Sequence, residues 1–315
     1  MKKILRTISI CATLFVWTSA NAQFAGFGGM QQQANLETSG QWKDINYAGD
    51  DKAYHTLDIY LPKQEKATYP VVVHIYGSAW FSNNSKGAAD LGTIVKALLD
   101  AGYAVVCPNH RASGDAKWPA QIHDIKAVIR FIRGEAKTYK FDTSFIATSG
   151  FSSGGHLAIF CGVTNGVKEA TVGQAKIDIE GSLGNYTKES TNINAVCDWS
   201  GAVDVPNMDC GEHMSFGASS PEDALIGSKK SDDPDSYLSA SYTPYLDKND
   251  VPVIVFHGKK DNIVPPCQGE NLYEALKDLG IKTEITLEPE GGHGTGMYSE
   301  ANLQKMVNFF NSVRK

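Results

Sequence analysis

The chain alternates between two hydrophobic patterns along most of its length. Short apolar runs rich in β-branched and aromatic residues, such as VVVHIY at 71–76 and VPVIVF at 251–256, are typical of strands buried on both faces of a sheet. Strands are predicted at residues 55–61, 70–76, 103–108, 145–149, 193–199, 252–257 and 283–288.

Longer stretches with apolar residues at helical spacing separate these runs. Helices are predicted at residues 88–101, 119–139, 155–161, 268–279 and 299–313. Pro119 stands at a predicted helix start, and Gly102 and Gly280 follow predicted helix ends, where these residue types are favoured. The alternation predicts an α/β fold, with a mostly parallel central sheet and helices on both of its faces.

Two polar segments interrupt the alternation, at about 165–192 and 205–250. Both are rich in Gly, Ser, Asp and Pro, and both could be ordinary solvated loops. Insertions at strand ends of an open α/β sheet commonly shape the ligand crevice. We therefore predict that they form walls of a site.

The N-terminal segment has the pattern of a secretory signal peptide. Three positive charges precede an apolar run at 8–17, and small residues follow at 20–22, which predicts a signal peptide over residues 1–22. The run is shorter than the roughly 20 residues that cross a bilayer, so no membrane span is predicted in the mature chain. A flexible Gly- and Gln-rich leader is predicted at 23–41, ahead of one α/β domain at 42–315, and the protein is expected in the periplasm or outside the cell.

Composition and charge narrow the class of protein. The 315 residues are 42% hydrophobic and 20% charged, which excludes a disordered chain or a disulfide scaffold and fits a large globular domain. Cleavage after Ala22 would remove three positive charges and lower the net charge from −6 to −9. Nucleic acid is therefore not an expected partner.

The cysteines of the mature chain are odd in number. Cys107, Cys161 and Cys197 lie in apolar runs and are predicted to be small core residues. Cys210 and Cys267 lie in loops, where a disulfide between them is one of the open alternatives. At least one of the five remains unpaired.

A G-x-S-x-G pattern at 150–154 indicates a candidate catalytic serine. It follows a predicted buried strand and precedes a predicted helix, so the glycines allow a sharp turn that exposes the hydroxyl of Ser152. The alternative is a Gly/Ser loop ahead of a helix. In this context Ser152 is the candidate nucleophile.

A serine nucleophile needs a base and an acid that orients the base. Asp261 lies in the loop after the strand at 252–257, and His293 lies in the loop after the strand at 283–288. The order serine, acid, histidine is that of an α/β-hydrolase triad. Taken singly, Asp261 could be a turn residue and His293 an exposed loop residue, and His213 is the rival base.

Acyl transfer also needs donors for the developing oxyanion. The backbone N–H of Ser153, directly after the nucleophile, is one candidate. The loop after the strand at 70–76 supplies two more, the N–H groups of Ser78 and Ala79. The same loop could instead be a simple strand-to-helix turn.

Six segments together resemble a known family. They are HIYGSAWF at 74–81, WPAQIHD at 118–124, GFSSGGHLA at 150–158, CDWSGAVD at 197–204, SPEDALIG at 220–227 and HGKKDNIVP at 257–265. With them the chain resembles α/β-hydrolase serine carboxylesterases of the hormone-sensitive-lipase-like branch, including bacterial feruloyl and acetylxylan esterases. The resemblance implies two-step ester hydrolysis by Ser152, His293 and Asp261, without a metal or organic cofactor.

The chain departs from the family pattern in the oxyanion loop. Ser78 and Ala79 stand where the family has glycines. Only backbone N–H groups are required there, but a left-handed backbone at either residue would cost on the order of 1 kcal/mol.

The residue pattern predicts the reaction more specifically than it predicts the substrate. Trp80, Trp199, Met297 and Tyr298 are predicted to contact substrate near the serine, although residues of these types more often form the wall or the core than determine specificity. The resemblance favours acetyl or feruloyl groups on plant polysaccharides such as xylan. Short-chain lipid or aryl esters, a prolyl-oligopeptidase-like peptidase and a non-catalytic binding protein are the alternatives.

Overall fold

The computed structural model describes residues 36–208, 210 and 220–314. The predicted signal peptide, the leader residues before 36 and His213 lie outside this part of the chain.

The strands are β1 Thr38–Asn46, β2 Thr56–Pro62, β3 Tyr69–Ile75, β4 Ala104–Pro108, β5 Phe141–Phe151, β6 Glu169–Val172, β7 Ala175–Asp178, β8 Ala195–Trp199, β9 Val253–Gly258 and β10 Thr283–Glu288.

Eight of these strands form one central sheet in the order β1-β2-β4-β3-β5-β8-β9-β10. Strand β2 runs antiparallel to both of its neighbours, β1 and β4, and the remaining pairs are parallel. The carboxyl ends of β3, β5, β9 and β10 therefore meet at one edge of the sheet, and the loops that carry the candidate site residues follow these ends.

The helices are α1 Lys96–Asp100, α2 Ala120–Gly134, α3 Ser153–Val163, α4 Pro221–Ile226, α5 Pro234–Ser239, α6 Cys267–Asp278 and α7 Glu300–Val313. A π-helical turn, Leu91–Val95, leads into α1. Among the described residues, no helix combines the length and the apolar character that crossing a bilayer requires.

Helices cover both faces of the sheet, as the alternating pattern predicted. Strand β3 shows why: Val71 and Val73 join one buried cluster, and Val72 joins another, because successive side chains point to opposite faces. Helices α2, α3 and α6 pack in the first cluster, and α1 and α7 pack in the second.

The fold begins earlier than predicted. Strand β1 starts at Thr38, so the predicted leader at 23–41 is wrong for its last four residues. Within the described residues, β1 lies at the edge of the sheet and has β2 as its one partner strand. Its burial is partial, so its sequence lacks the continuous apolar run that marks the central strands.

Both polar insertions contain short elements of their own. The first holds the β6–β7 hairpin, and the second holds α4 and α5. Side-chain caps start these two helices, because Ser220 accepts the N–H of Asp223 and Asp233 accepts the N–H of Ser236.

The second insertion is fixed to α6 at two neighbouring residues. Cys210 forms a disulfide with Cys267. The Gln268 side chain accepts the N–H of Asp204 at 2.7 Å and donates to the carbonyl of Asn207 at 3.1 Å. The three remaining cysteines of the described chain are free and buried, as predicted.

Candidate active site

The backbone turns sharply at Ser152, between β5 and α3. Ser152 has φ 56° and ψ −123°, a left-handed conformation that costs a non-glycine residue on the order of 1–3 kcal/mol. Its N–H donates to the carbonyl of Trp199 at 2.9 Å. A Cβ on Gly154 would collide with the carbonyl of Ile75, so glycine is required for α3 to start this close to β3.

The three predicted triad side chains lie in one hydrogen-bonded line. His293 Nε2 is 2.9 Å from Ser152 Oγ, and His293 Nδ1 is 2.8 Å from Asp261 Oδ2. Because a carboxylate only accepts, the Nδ1–H of His293 donates to Asp261, and Nε2 accepts the proton of the serine hydroxyl. Residues 141 positions apart in the sequence thus meet at the carboxyl edge of the sheet.

The environment of Asp261 favours its ionised form. Burial raises the pKa of this carboxyl, but the hydrogen bond and charge of His293, with a contribution from His257, outweigh burial and hold the pKa below its usual range. The backbone N–H groups of Ile263 and Val264 also donate to Oδ1, each at 2.9 Å. A charged Asp261 stabilises the imidazolium that His293 would become on accepting a proton.

The predicted oxyanion loop lies directly against Ser152. A Cβ on Gly77 would be 2.8 Å from the Cβ of Ser152. The N–H groups of Ala79 and Ser153 have no hydrogen-bond acceptor among the described residues. Ala79 has φ 48°, so the strain anticipated for a non-glycine residue in this loop is present.

The third predicted oxyanion donor is already engaged, which corrects the sequence prediction. The N–H of Ser78 donates to the Oγ of Ser153 at 2.9 Å. The backbone of Ser78 therefore bonds the loop to the start of α3, and the N–H groups of Ala79 and Ser153 are left as the candidate oxyanion donors. No sequence pattern predicts this bond, because it depends on the rotamer of the Ser153 side chain.

The buried side chain of Trp80 anchors the same loop through a hydrogen bond to His156. Its side chain is 1% exposed, and its indole N–H donates to Nδ1 of His156 at 3.3 Å. The Nε2–H of His156 donates to the carbonyl of Ala240 at 2.7 Å. Burial lowers the pKa of His156 to about 4, so this imidazole is neutral and can accept from the indole.

The fold and this geometry agree with comparisons to known proteins. The family profile BD-FAE matches residues 57–276, which include strands β3 to β9, the turn at Ser152 and the loop of Asp261. This chain belongs to the BD-FAE family. It has the α/β-hydrolase fold that the six sequence segments predicted.

Two solved structures closely resemble this BD-FAE chain. A "truncated form of carbohydrate esterase from gut microbiota" is 44% identical, with a TM-score of 0.85, over 89% of this chain and 98% of that chain. A bifunctional GH43-CE protein from Bacteroides eggerthii is 49% identical, with a TM-score of 0.82, over 87% of this chain and 38% of that chain.

Curated relatives are less similar to this chain. The probable carboxylic ester hydrolase LipM of Mycobacterium tuberculosis is 27% identical over 78% of this chain. The match covers 54% of LipM, so the BD-FAE chain spans about half the length of this curated relative.

Three of the four predicted substrate contacts are buried in the BD-FAE structure. Trp80, Trp199 and Met297 are each 1% exposed, so these predictions of a direct substrate surface are wrong. Trp199 instead stacks on Phe256, with ring centroids 4.1 Å apart. Tyr298 is partly buried and packs edge-on against Trp199 and Phe151.

Two phenylalanines near the site, Phe151 and Phe81, were not predicted from the sequence to be site residues. The Phe151 ring lies 4.7 Å from the ring of His293 and limits the space beside the base. Phe81 follows the oxyanion loop and is 45% exposed. Phe151 directly precedes Ser152 and Phe81 directly follows Trp80, so their sequence positions indicated that they lie near the site. Residue type alone does not show whether a side chain is exposed there. No group of three or more potential metal ligands is found among the described residues of this BD-FAE protein.

Proposed function

We propose that this protein is an exported serine esterase that removes acetyl or feruloyl groups from plant polysaccharides such as xylan. One observation carries the proposal: the Ser152–His293–Asp261 line lies beside the free N–H groups of Ala79 and Ser153. A nucleophile, its base and two oxyanion donors in one place are the groups that ester hydrolysis requires.

The first step is acylation of the enzyme. Ser152 Oγ attacks the ester carbonyl while its proton passes to Nε2 of His293, and the carbonyl oxygen becomes the oxyanion held by the two N–H groups. Collapse of this intermediate breaks the bond to the alkoxy oxygen. His293 returns the proton to that oxygen, and the sugar hydroxyl leaves.

The second step releases the acid. A water molecule gives a proton to His293 and attacks the acyl carbonyl, which forms a second oxyanion in the same hole. Its collapse frees the acid and returns the proton to Ser152. Ionised Asp261 balances the charge of His293 in both steps.

The substrate class is supported by the relatives. Both solved structures with 44% and 49% identity bear names that include a carbohydrate esterase or CE component. The N-terminal signal pattern supports export to a compartment where polysaccharide is available. Short-chain lipid or aryl ester hydrolysis remains the alternative within the same mechanism.

A substrate panel tests the proposal. Acid release is measured from acetylated xylan, methyl ferulate and p-nitrophenyl esters of increasing acyl length, with Ser152→Ala as the matched inactive control. We expect the highest kcat/KM on acetylated or feruloylated substrates and no turnover by the variant. A clear preference for long acyl chains, or hydrolysis by purified Ser152→Ala, would contradict the proposal.

A further inference from the structure

The Phe151 ring lies between the two turns that hold the reacting groups. On one side, a Cβ on Gly77 would lie 2.8 Å from Cδ1 of Phe151 and 2.8 Å from Cβ of Ser152. On the other side, a Cβ on Gly294, the residue after His293, would lie 3.1 Å from Cζ of Phe151. One ring thus extends from the oxyanion loop to the turn of the histidine. A side chain on Gly77 would displace this ring, so glycine leaves room for it.

Aromatic packing supports the Phe151 ring in this position. The ring centroids of Phe151 and His293 are 4.7 Å apart, and the two planes are inclined by 40°. The Tyr298 ring packs edge-on against Phe151 at 6.3 Å and against the buried Trp199 at 5.3 Å. Phe151 is partly exposed. The ring is therefore supported by its protein neighbours and still presents surface to the solvent.

The chemistry of the triad indicates which part of an ester lies beside this ring. The carbonyl oxygen is directed to the N–H groups of Ala79 and Ser153, whereas the alkoxy oxygen receives its proton from Nε2 of His293. The group bonded to the alkoxy oxygen therefore lies beside the imidazole. Because Phe151 packs on that imidazole, its ring is placed to contact the alcohol part of the ester.

A phenyl ring selects alcohols by their shape. It has an apolar face and no hydrogen-bonding atom, so it packs well on another ring with a flat apolar face and gains less from a short alkyl chain. A sugar ring presents such a face through its C–H groups, and an aryl ring presents one through its π-system. A phenyl ring beside the alkoxy oxygen therefore favours ring alcohols over acyclic ones.

We propose that Phe151 is a specificity-determining residue, whose ring packs on the sugar that carries the ester and so selects the leaving alcohol rather than the acyl group. This inference rests on the proposed function, because it requires acylation of Ser152 with His293 as the proton donor to the alcohol. It identifies the part of the substrate that the site recognises next to the cleaved bond.

Acetate esters that differ only in the alcohol test the proposal. kcat/KM, which reports the steps up to alcohol release, is measured for phenyl acetate, an acetylated xylo-oligosaccharide and ethyl acetate. The ratio of Phe151→Ala to wild type cancels the intrinsic reactivity of each ester. We expect kcat/KM to fall about three- to tenfold for the two esters of ring alcohols and to stay within about twofold for ethyl acetate.

A second series varies the acyl group and keeps p-nitrophenol as the alcohol. Acetate, propionate and butyrate should lose the same factor, so the acyl preference of Phe151→Ala should equal that of wild type. Phe151→Tyr, which keeps the ring, should have wild-type ratios in both series. Tyr273→Ala removes a partly exposed ring that packs on Lys277 in α6, and this matched control should also have wild-type ratios.

Three results would overturn the inference. An equal loss on phenyl and ethyl acetate would show that Phe151 only orients His293. A loss that depends on acyl length would place the ring against the acyl group, and wild-type kcat/KM on every ester would exclude a contact with substrate. If Phe151→Ala melts well below wild type, Phe151→Leu, which keeps an apolar side chain but lacks the flat face, provides the same comparison.

The same esters separate this inference from the proposed function. A wild-type enzyme that cleaves phenyl acetate but not the oligosaccharide would overturn the carbohydrate substrate class and the sugar contact with it. The unequal effect of Phe151→Ala on phenyl and ethyl acetate would then still support selection of the leaving alcohol, and an equal effect would overturn it.

Discussion

At the scale of single residues, two hydrogen bonds connect Ser152, His293 and Asp261 and indicate which atom donates in each. Asp261 is ionised and accepts from Nδ1 of His293, which leaves Nε2 free to accept from the serine. The same logic fixes His156 as neutral behind the oxyanion loop. The hydrogen bonds therefore align Ser152, His293 and Asp261 for proton transfer along one line.

Replacement of the acid tests this assignment. In Asp261→Asn the amide can donate to Nδ1 of His293, which favours the tautomer that cannot accept the serine proton. We expect kcat on p-nitrophenyl acetate to fall at least about a hundredfold with a near-normal melting temperature. Asp278→Asn, at an exposed position at the end of α6, is the control and should be fully active. Normal kcat in Asp261→Asn would assign the acid elsewhere.

The Ser153 side chain offers a second test. Its Oγ holds the N–H of Ser78, so Ser153→Ala would loosen the oxyanion loop while keeping the backbone N–H of residue 153. We expect kcat to fall about three- to tenfold with little change in KM, a fraction of the loss known for a deleted oxyanion donor. A higher kcat would mean that the released N–H of Ser78 joins the hole.

The sequence predicted the reacting groups better than their surroundings. Ser152, Asp261 and His293 were predicted because their types, order and positions after strands are constrained by the chemistry. Trp80, Trp199 and Met297 were wrong as substrate contacts because burial depends on packing between distant segments. The bond from Ser78 to Ser153 is a matter of side-chain rotamer, which composition and spacing do not determine.

At the scale of elements, the buried parallel strands were the most predictable part of the fold. Strand β3 is buried along its whole length, and its bounds are shifted by only one residue from the predicted ones. The edge strand β10 is only partly buried and has the predicted bounds. Strand β1 was missed because its sequence, TSGQWKDIN, is mostly polar and contains no apolar run. The short helices α4 and α5 have a Ser or Asp cap followed by Pro, a local signal in the sequence that the surrounding polar composition obscured.

The disulfide between the second insertion and α6 makes a prediction at this scale. Cys210 and Cys267 are 57 positions apart, and closing such a loop restricts the unfolded chain by up to about 4 kcal/mol in the chain-entropy treatment. We expect the melting temperature of the wild type to fall on addition of dithiothreitol. The double variant Cys210→Ser/Cys267→Ser should melt at the lower temperature with or without the reductant, and a wild-type transition insensitive to complete reduction would contradict this role.

At the scale of the whole molecule, the sheet separates two hydrophobic cores, and a carboxyl group is buried within it. Asp198 in β8 is 0% exposed, and burial raises its pKa to about 8. The folded protein therefore keeps this carboxyl protonated at neutral pH, whereas the unfolded chain ionises it above about pH 4. Between these values, rising pH favours the unfolded state.

Asp198→Asn should remove this pH dependence. The unfolded wild type binds fewer protons than the folded form between about pH 4 and 8, so the wild type loses up to about 1.4 kcal/mol of stability per pH unit from this group. We expect the melting temperature of the variant, relative to wild type, to rise steadily from pH 5 to pH 8. A difference that does not vary with pH would show that Asp198 is ionised in the folded protein.

The central claim is that Ser152 forms the covalent bond to the acyl group, and covalent labelling tests it most directly. The protein is incubated with an aryl organophosphate, which transfers its phosphoryl group to an activated serine, and the site of modification is read by peptide mass spectrometry. We predict one adduct, on Ser152, formed in step with loss of esterase activity, absent in Ser152→Ala and strongly slowed in His293→Ala. Loss of activity with Ser152 unmodified, or an adduct on another residue that accounts for the inactivation, would contradict the account.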